Sequence, residues 1–328
     1  MINIRICSGQ PMGACSFYRT VGPFSVLSRL DSEINVRFID VVEWRTLAGA
    51  DILFLERPCT DMFELACTIA KEMNIKVWTD FDDDFFNVPS WNPAYKFLQD
   101  NLRHVKKCLQ LSDIVTVTSP ALEKIYSEFT KAPIVVIKNA FNDYHFRLPE
   151  KISTRKRIFW RGSETHRKDL TKYFRAMKEV ADEFPEWEWI FMGGGDLWYI
   201  TDFIKNARTI APVPVQRYFK ALREIAPSIM IIPLVFNEFN AAKSNIAWQE
   251  GTYAGACTVS PSLHEFMLPG VSHYKDVDGF KNQLSGFIKN EELRNEFFLG
   301  SKGLIESCYL LSMINNKRVK IARGDYGS

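Results

Sequence analysis

Short apolar runs alternate with amphipathic stretches along most of the chain, and this alternation limits the fold more than any other feature. In the first half the runs are INIRICS, INVRFIDV, ADILFLERP, IKVWTDFDDD, DIVTVTS and PIVVIKNAF. Between them lie FYRTVGPFSVLSRL, DMFELACTIAKEM, a stretch from about Asn92 to Leu111, and PALEKIYSEF. Apolar runs this short, bounded by turn residues, are strands buried on both faces of a parallel sheet. The stretches between them are crossover helices that cover those faces. Pro120 sits near the first turn of its helix, where a missing N–H costs nothing. GQPMGACS is a Gly-containing turn after the first strand, and FYRTVGPFSVLSRL reads as one amphipathic helix.

The rhythm breaks from Asp143 to Arg157, where Pro149 and several charges replace the apolar periodicity. It then resumes with RIFWRGS, RKDLTKYFRAMKEVADEF, WEWIFMGGG, the helix DLWYITDFIKNA, VPVQRYFKALREI, SIMIIPLVF, SNIAWQEGTYAG and ACTVSPS. At 328 residues the chain suits two domains of roughly 150 residues each. The expected organisation is α/β: two doubly wound, Rossmann-like domains facing an interdomain cleft. Residues 1–148 form the first, 149–156 a linker and 157–290 the second. Residues 291–328 form a helical segment able to pack back on the first domain. Ligands of such sheets bind beyond the carboxyl ends of the strands.

No stretch approaches the roughly 18 apolar residues of a membrane span, and the start lacks the shape of a signal peptide. The seven cysteines are odd in number and contain no C-x-x-C pair. That argues against a disulfide scaffold or zinc finger and for a reducing cytoplasm. Lys and Arg number 41 against 39 Asp and Glu, yet the balance hides a split. Residues 51–100 hold ten acidic and four basic residues, whereas 151–168 hold seven basic and one acidic. The tail adds Lys317, Arg318, Lys320 and Arg323. Charge segregated this way suggests surfaces with different partners, although solvated helix faces give the same pattern. Most aromatics fall at core spacing, including Trp187, Trp189, Phe297 and Phe298.

The most informative chemistry lies in MIIPLVFNEFNAAKSNIAWQEGTYAGACTVS, read as strand, polar loop, helix, Gly turn and strand. The helix is expected to begin near Lys243-Ser244-Asn245. Ser244 and Asn245 are good caps, and a helix N-terminus offers N–H groups to an anion. Lys243 adds a cation. Glu250, further along the helix, is placed to accept hydrogen bonds from two vicinal ribose hydroxyls. Diphosphate plus ribose means a nucleotide, while a plain helix with a polar cap is the bland alternative.

The segment FNAAKSNIAWQEGTYAGACTVS resembles the donor-site motif of the large retaining, GT-B-fold glycosyltransferase family, of phage or bacterial type. In that resemblance Glu250 is the ribose-binding glutamate and Gly255 the turn glycine. RIFWRGSETHRKDL resembles the first donor-domain strand and its phosphate-facing loop, and WEWIFMGGG the element whose glycines approach nucleotide or sugar. VPVQRYFKALREIAPSIMIIPL resembles the segment beside the base. VVIKNAFN loosely matches the last strand before the linker. SGQPMGACSFYR resembles the Gly-rich acceptor-side turn, and VWTDFDDDFFNVP a subgroup's Asp-rich loop. The likeness spans residues 4–290 or so, and the order of its motifs carries it.

The resemblance implies a glycosyltransferase acting on a nucleotide-diphosphate sugar, a UDP-sugar first, with retention and no obligatory cofactor. The implied donor residues are Gly13, Arg161, Gly162, Ser163, Arg167, Gly193, Gly194, Asn240, Lys243, Ser244, Asn245 and Glu250. Asp82, His166 and Lys168 are the candidate catalytic residues. Breaking the anomeric C–O bond requires cations and N–H groups aimed at the departing diphosphate. Two positions depart from the family pattern. Ser163 replaces the arginine of a Gly-Arg pair, leaving Arg161 or Arg167 to supply the charge. Ala242 replaces the first glutamate of a spaced pair, whose role passes to Glu238 or Asn240.

Asp80, Asp82, Asp83 and Asp84 raise a metal reading, since Asp-x-Asp after a strand can hold a divalent cation. GT-B enzymes generally work without one, so no residue is assigned to a metal. The remaining roles for the loop are capping the next helix, closing the cleft or acting as base on an acceptor hydroxyl, with Asp82 chosen for the cleft. GQPMG lacks the spacing of a dinucleotide fingerprint. The acceptor stays open. The basic stretches and Arg103-His104-Lys106-Lys107 would suit DNA phosphates and a flipped hydroxymethylated base. A saccharide, lipid-linked or small-molecule acceptor fits equally, and a catalytically decayed nucleotide-sugar-binding protein is the non-enzyme alternative.

Overall fold

The computed structural model describes residues 1–9 and 13–326, so Gln10, Pro11 and Met12 of the expected Gly-containing turn lie outside the described residues. The chain forms two compact units. One comprises residues 1–145, 242–244 and the chain from Tyr309 onward; the other comprises 146–241 and 245–308.

The first unit is built on six parallel strands: β1 (Ile2–Ser8), β2 (Ile34–Phe38), β3 (Ile52–Glu56), β4 (Lys76–Phe81), β5 (Ile114–Val117) and β6 (Ile134–Val136). Their order is β2-β1-β3-β4-β5-β6. Every residue of β3 and β5 is buried, which is why both read as unbroken apolar runs. The Asp61–Glu72 helix buries Phe63, Ala66, Cys67 and Ala70, the i, i+3, i+4, i+7 stripe of a helix lying on a sheet. Ser119 caps the Pro120–Tyr126 helix by accepting from Leu122 N at 3.3 Å. Phe24, Phe54 and Trp78 pack with ring centroids 4.6 to 5.6 Å apart, and Ile321 and Ala322 of the Leu311–Ala322 helix join that core.

FYRTVGPFSVLSRL is not one helix. It divides into a five-residue π-helical turn at Phe17–Val21 and short helices at Gly22–Ser25 and Leu27–Leu30. Pro23 cannot continue a hydrogen-bond ladder from the preceding turn. A Cβ at Gly22 would sit 2.4 Å from Phe17 O, so the wide turn needs glycine there. The turn also carries Arg19 into the core, where it is fully buried. The expected 291–328 segment is likewise divided: Glu291–Cys308 counts with the second unit and Leu311–Ala322 with the first.

The second unit holds β7 (Arg157–Gly162), β8 (Glu188–Gly193), β9 (Ala207–Ile210), β10 (Ile229–Ile231), β11 (Cys257–Pro261) and β12 (Ser272–Tyr274). All pair in parallel in the order β12-β11-β10-β7-β8-β9, the strand order of dinucleotide-binding sheets. Trp189, Phe191, Tyr173 and Phe280 anchor its core. β9 and β12 are short edge strands, ARTI and SHY, with no apolar run to predict them. DLWYITDFIKNA forms only a Trp198–Thr201 turn of helix before Asn206, at φ +55°, redirects the chain into β9.

Each sheet has one place where its connections reverse: between β1 and β3 in the first unit, and between β7 and β10 in the second. The crevice beyond such a pair is where ligands of doubly wound sheets bind. No helix among the described residues is long and apolar enough to cross a membrane. All seven cysteines are free thiols.

Candidate functional site

At the carboxyl end of β7, Arg161 turns its guanidinium to Glu250 on the Ile246–Ala254 helix, with Nε 2.6 Å from Oε2. Tyr218 of the Val215–Ile225 helix donates its hydroxyl to the same oxygen at 2.9 Å. Glu250 is 4% exposed. Burial, and then the charge of Glu250, push the Tyr218 hydroxyl well above its usual range, while Arg161 pulls the other way. The phenol therefore stays a donor at any ordinary pH. The Ile246–Ala254 helix is buried over nearly its whole length and ends at Gly255 with φ +86°, the left-handed stop that favours glycine. A carboxylate held this way has a fixed position, as recognition of a diol requires.

A second cluster lies at the same edge. His166 follows β7 in a short turn and passes Nδ1 to Asp169 Oδ2, 2.9 Å away. Asp169, 1% exposed, also accepts from Val235 N at 2.7 Å and Asn240 Nδ2 at 3.0 Å. Arg167 and Lys168 are exposed on the first turn of the Arg167–Glu183 helix, where N–H groups and the helix dipole favour an anion. The Arg167 guanidinium lies over the Tyr199 ring, 4.9 Å from its centroid. Ser163 is exposed and its hydroxyl is 2.6 Å from that of Thr165.

The glycines of this edge answer first to packing. Gly162 pairs with Gly193 across β7 and β8. A Cβ on Gly162 would meet the Trp160 ring at 2.5 Å, and one on Gly193 would meet Gly162 O at 2.4 Å. Gly194 is roomier, with Pro212 Cγ its nearest neighbour at 3.8 Å. Gly194 and Gly195 help line a cavity of about 380 Å³ beyond β8 and β9, with Trp198, Thr209 and Pro212 on its walls.

The expected side-chain cap of the Ile246–Ala254 helix does not form. Asn245 occupies the cap position without a side-chain capping bond. Its amide instead donates to Glu265 O at 3.1 Å and accepts from Gln249 at 3.1 Å. Asn240 is 1% exposed, its amide committed to Asp169 and to Val235 O at 2.8 Å, whereas Glu238 is exposed. Lys243 and Ser244 count with the first unit. There Lys243 Nζ is 3.3 Å from Asp83 Oδ1, and Asn139 Nδ2 donates to Ser244 Oγ at 2.9 Å.

In the first unit the aspartates after β4 have separate partners. Asp80 takes a two-pronged bond from Arg19, and Asp82 lies 3.4 Å from Arg57 Nε. Asp84 accepts from Phe86 N, Asn87 N and Asn87 Nδ2. It closes its own turn rather than capping the next helix, Tyr95–Leu111, whose cap is Ala94. Among the described residues no three His, Cys, Asp or Glu side chains are grouped to hold a metal. Gly13 precedes the Ala14–Ser16 turn in extended conformation. One buried acid here is not marked by any motif in the sequence. Glu56, at the end of β3, is 2% exposed and accepts from Ser16 Oγ at 2.6 Å, and Ser16 Oγ is 2.8 Å from Ser8 Oγ.

No protein-family model matches the sequence, and no curated protein matches it. Solved structures do resemble the chain. Sucrose-phosphate synthase from Thermosynechococcus elongatus is 12% identical over 99% of both chains, with a TM-score of 0.73. Anabaena HepE, solved in complex with UDP-glucose, is 12% identical over 99% of this chain and all of that one, with a TM-score of 0.69. A Listeria monocytogenes protein assigned as a UDP-N-acetylglucosamine 2-epimerase is 11% identical over 99% of this chain and 96% of that one, with a TM-score of 0.62. At these identities the likeness establishes the fold: the chain shares the two-domain α/β architecture, GT-B, of these proteins.

Proposed function

We propose that the chain is a glycosyltransferase that moves a sugar from a UDP-sugar to a hydroxyl acceptor with retention, binding its nucleotide on the second unit. The observation that carries this reading is the buried Glu250 carboxylate, fixed by Arg161 and Tyr218 at the carboxyl end of a sheet with dinucleotide-binding strand order. Ribose hydroxyls donate to that carboxylate. The glycine-walled cavity beyond β8 and β9 suits the base, and the first turn of the Arg167–Glu183 helix, with Lys168, receives the diphosphate. As the anomeric bond breaks, these N–H groups and cations stabilise the leaving charge. UDP and UDP-glucose are what Anabaena HepE was solved with, which supports a uridine donor.

Asn240 shapes the loop in this reading through its Nδ2, bound to Asp169 and Val235 O, and Asn245 through its bonds to Glu265 O and Gln249. Gly162, Ser163 and Gly193 keep their donor assignments, and Arg161 acts through Glu250. Asp82 remains the acceptor-side carboxylate.

Charge favours a saccharide or small hydroxyl acceptor over DNA. Of the basic stretch, Lys156, Arg157 and Arg161 pair with Glu186, Glu188 and Glu250. In the tail Arg318 is 2% exposed, and Arg323 pairs with Asp31 and Glu33. Cations engaged this way are poor at releasing counterions from a phosphate backbone. The protein should therefore elute from a DNA column at about 0.1 M salt; retention that falls steeply with salt would restore the DNA reading.

Glu250→Ala should weaken UDP binding about tenfold or more, roughly 1.4 kcal/mol, as read by calorimetry, with Glu250→Gln intermediate. Unchanged affinity in a folded variant removes the donor site from this helix. Mass spectrometry with a panel of nucleotide sugars and acceptors then tests the reaction. A mass gain on the acceptor supports transfer, and an isomerised donor would point to epimerase chemistry on the same fold.

A further inference from the structure

The Tyr95–Leu111 helix, YKFLQDNLRHVKKCLQL, packs on the first unit through Leu98, Val105, Cys108 and Leu109. Its other side carries Lys96, Asp100, Arg103, Lys107 and Gln110, all exposed. They stand at i, i+4, i+7, i+11 and i+14, so they form one stripe. Lys106, also exposed, borders it. From Lys96 to Lys107 the four cations span about 16 Å of helix, and Asp100 is the one acid between Tyr95 and Leu111.

Nothing in the chain neutralises this face. Among the described residues none of the four cations is ion-paired. Arg103 Nε donates to His104 Nε2 at 3.2 Å, and Lys106 Nζ lies 5.1 Å from the centroid of the Phe129 ring. Glu64, on the neighbouring helix, is taken by His104 Nδ1 at 2.7 Å. Elsewhere Lys178, Lys220 and Lys302 each have an acid four residues on, Asp182, Glu224 and Glu306. That is the ordinary pattern of a solvated helix. Nor does the charge serve the helix itself. Lys96 stands in the first turn, where the dipole disfavours a cation, and the last turn has no basic residue. Two aromatics sit at the same end. Phe97, beside Lys96, is 51% exposed, and Trp91, in the loop entering the helix, is 37% exposed.

We propose that this face docks the first unit on an anionic phospholipid bilayer. Lys96, Arg103, Lys106 and Lys107 meet the headgroup phosphates, and Phe97 and Trp91 enter the layer beneath them. A convex helix face suits a flat surface and gives a DNA duplex no groove to lie in. A bilayer also offers an apolar layer for the two rings, which a phosphate backbone lacks. The inference goes beyond the nucleotide reading and does not depend on it.

Sedimentation of the full chain with vesicles tests this. Vesicles of phosphatidylcholine and phosphatidylglycerol in equal parts should carry the protein down at low salt and release it as salt rises. Vesicles of phosphatidylcholine alone should not. Each cation near an anionic leaflet is worth about fivefold in affinity, so Arg103→Gln/Lys106→Gln/Lys107→Gln should lower the partition about 100-fold. Lys178→Gln/Lys220→Gln/Lys289→Gln removes the same net charge from ion-paired sites on other helices and should bind like the wild type. Equal loss in both variants assigns the binding to net charge and overturns the proposal. Binding to both kinds of vesicle alike, or to neither, overturns it as well. If the first variant fails to fold, Lys107→Gln alone, at about fivefold, decides the question.

Phe97→Ser should weaken vesicle binding about tenfold, the value of partial burial of a phenyl ring. An unchanged partition means that no apolar layer is entered, and the bilayer assignment falls. A short DNA duplex is the counter-probe. Tighter binding to it than to the anionic vesicles, lost in the Arg103, Lys106 and Lys107 variant, would give the face to nucleic acid instead.

Discussion

Asp80→Asn is expected to cost the first unit about 3 to 5 kcal/mol, the range for breaking a buried ion pair from one side. Arg19 is fully buried and gives Asp80 both Nε, at 2.9 Å, and Nη2, at 2.5 Å; Nη1 is bound to Ile137 O at 2.6 Å. Thr116 donates to Asp80 Oδ1 as well. Arg318 lies in the same interior, its guanidinium pushed down to about 9 by burial and by Arg19, against a pull from Asp80. One carboxylate therefore serves two buried cations. Removing its charge takes from Arg19 its directly bonded counter-charge and from Arg318 the carboxylate that opposes its shift, and replaces an acceptor by an amide donor in a ring of donors. Denaturant unfolding should show the early loss of the first unit. A change below about 1 kcal/mol, the scale of an exposed pair, would mean that the arginines find water or another acceptor.

Glu56→Gln should act in the opposite direction and only above acid pH. Burial lifts the Glu56 carboxyl to about 7, Ser16 and Ser8 oppose the shift by hydrogen bonding, and Asp82 and Asp80 add to it. Below about 4.5 the carboxyl is protonated folded or unfolded, and the site is neutral in its effect. Between about 4.5 and 7 the folded chain holds a proton that the unfolded chain has released, so stability falls as pH rises through this window. Above about 7 the full penalty applies, on the order of 3 kcal/mol for a shift of this size. Glutamine keeps an acceptor for Ser16 and carries no charge to bury. The variant should match the wild type near pH 4 and exceed it by up to that amount near pH 8. A stability difference that does not change with pH would show that Glu56 ionises without cost.

Most of the architecture was legible because parallel strands buried on both faces leave unbroken apolar runs, as ILFLE and IVTV do. β9 and β12 were not legible, since edge strands of three or four residues need little hydrophobicity to pair. The first helix was misread because its periodicity is real while its continuity is broken by Pro23 and by the detour that buries Arg19. Local structure was legible where it follows from neighbouring residues, as with the Gly255 turn that ends the Ile246–Ala254 helix. The site was not legible where a role depends on a partner far along the chain. Nothing near Arg161 in sequence points to Glu250, 89 positions on, or to Tyr218. Asp169 did leave a trace, an acid three residues after a histidine at a helix start. The Asp-rich loop looked like one motif because its residues are adjacent, yet each aspartate answers to a different partner.

The first unit is finished by residues from the other end of the chain, and this sets an order of assembly. Phe141 N bonds to Tyr309 O, Leu311 N to Phe141 O, and Asn315 Nδ2 to Pro23 O, while Ile321 fills the core beneath β1 and β3. Domains formed during synthesis usually fold from the N-terminus onward. Here the N-terminal sheet waits, its core open and Arg318 not yet delivered, until the chain past residue 309 has emerged. By then residues 146–241 and 245–308, the second unit, are already available to fold. The half of the molecule made first is the half completed last.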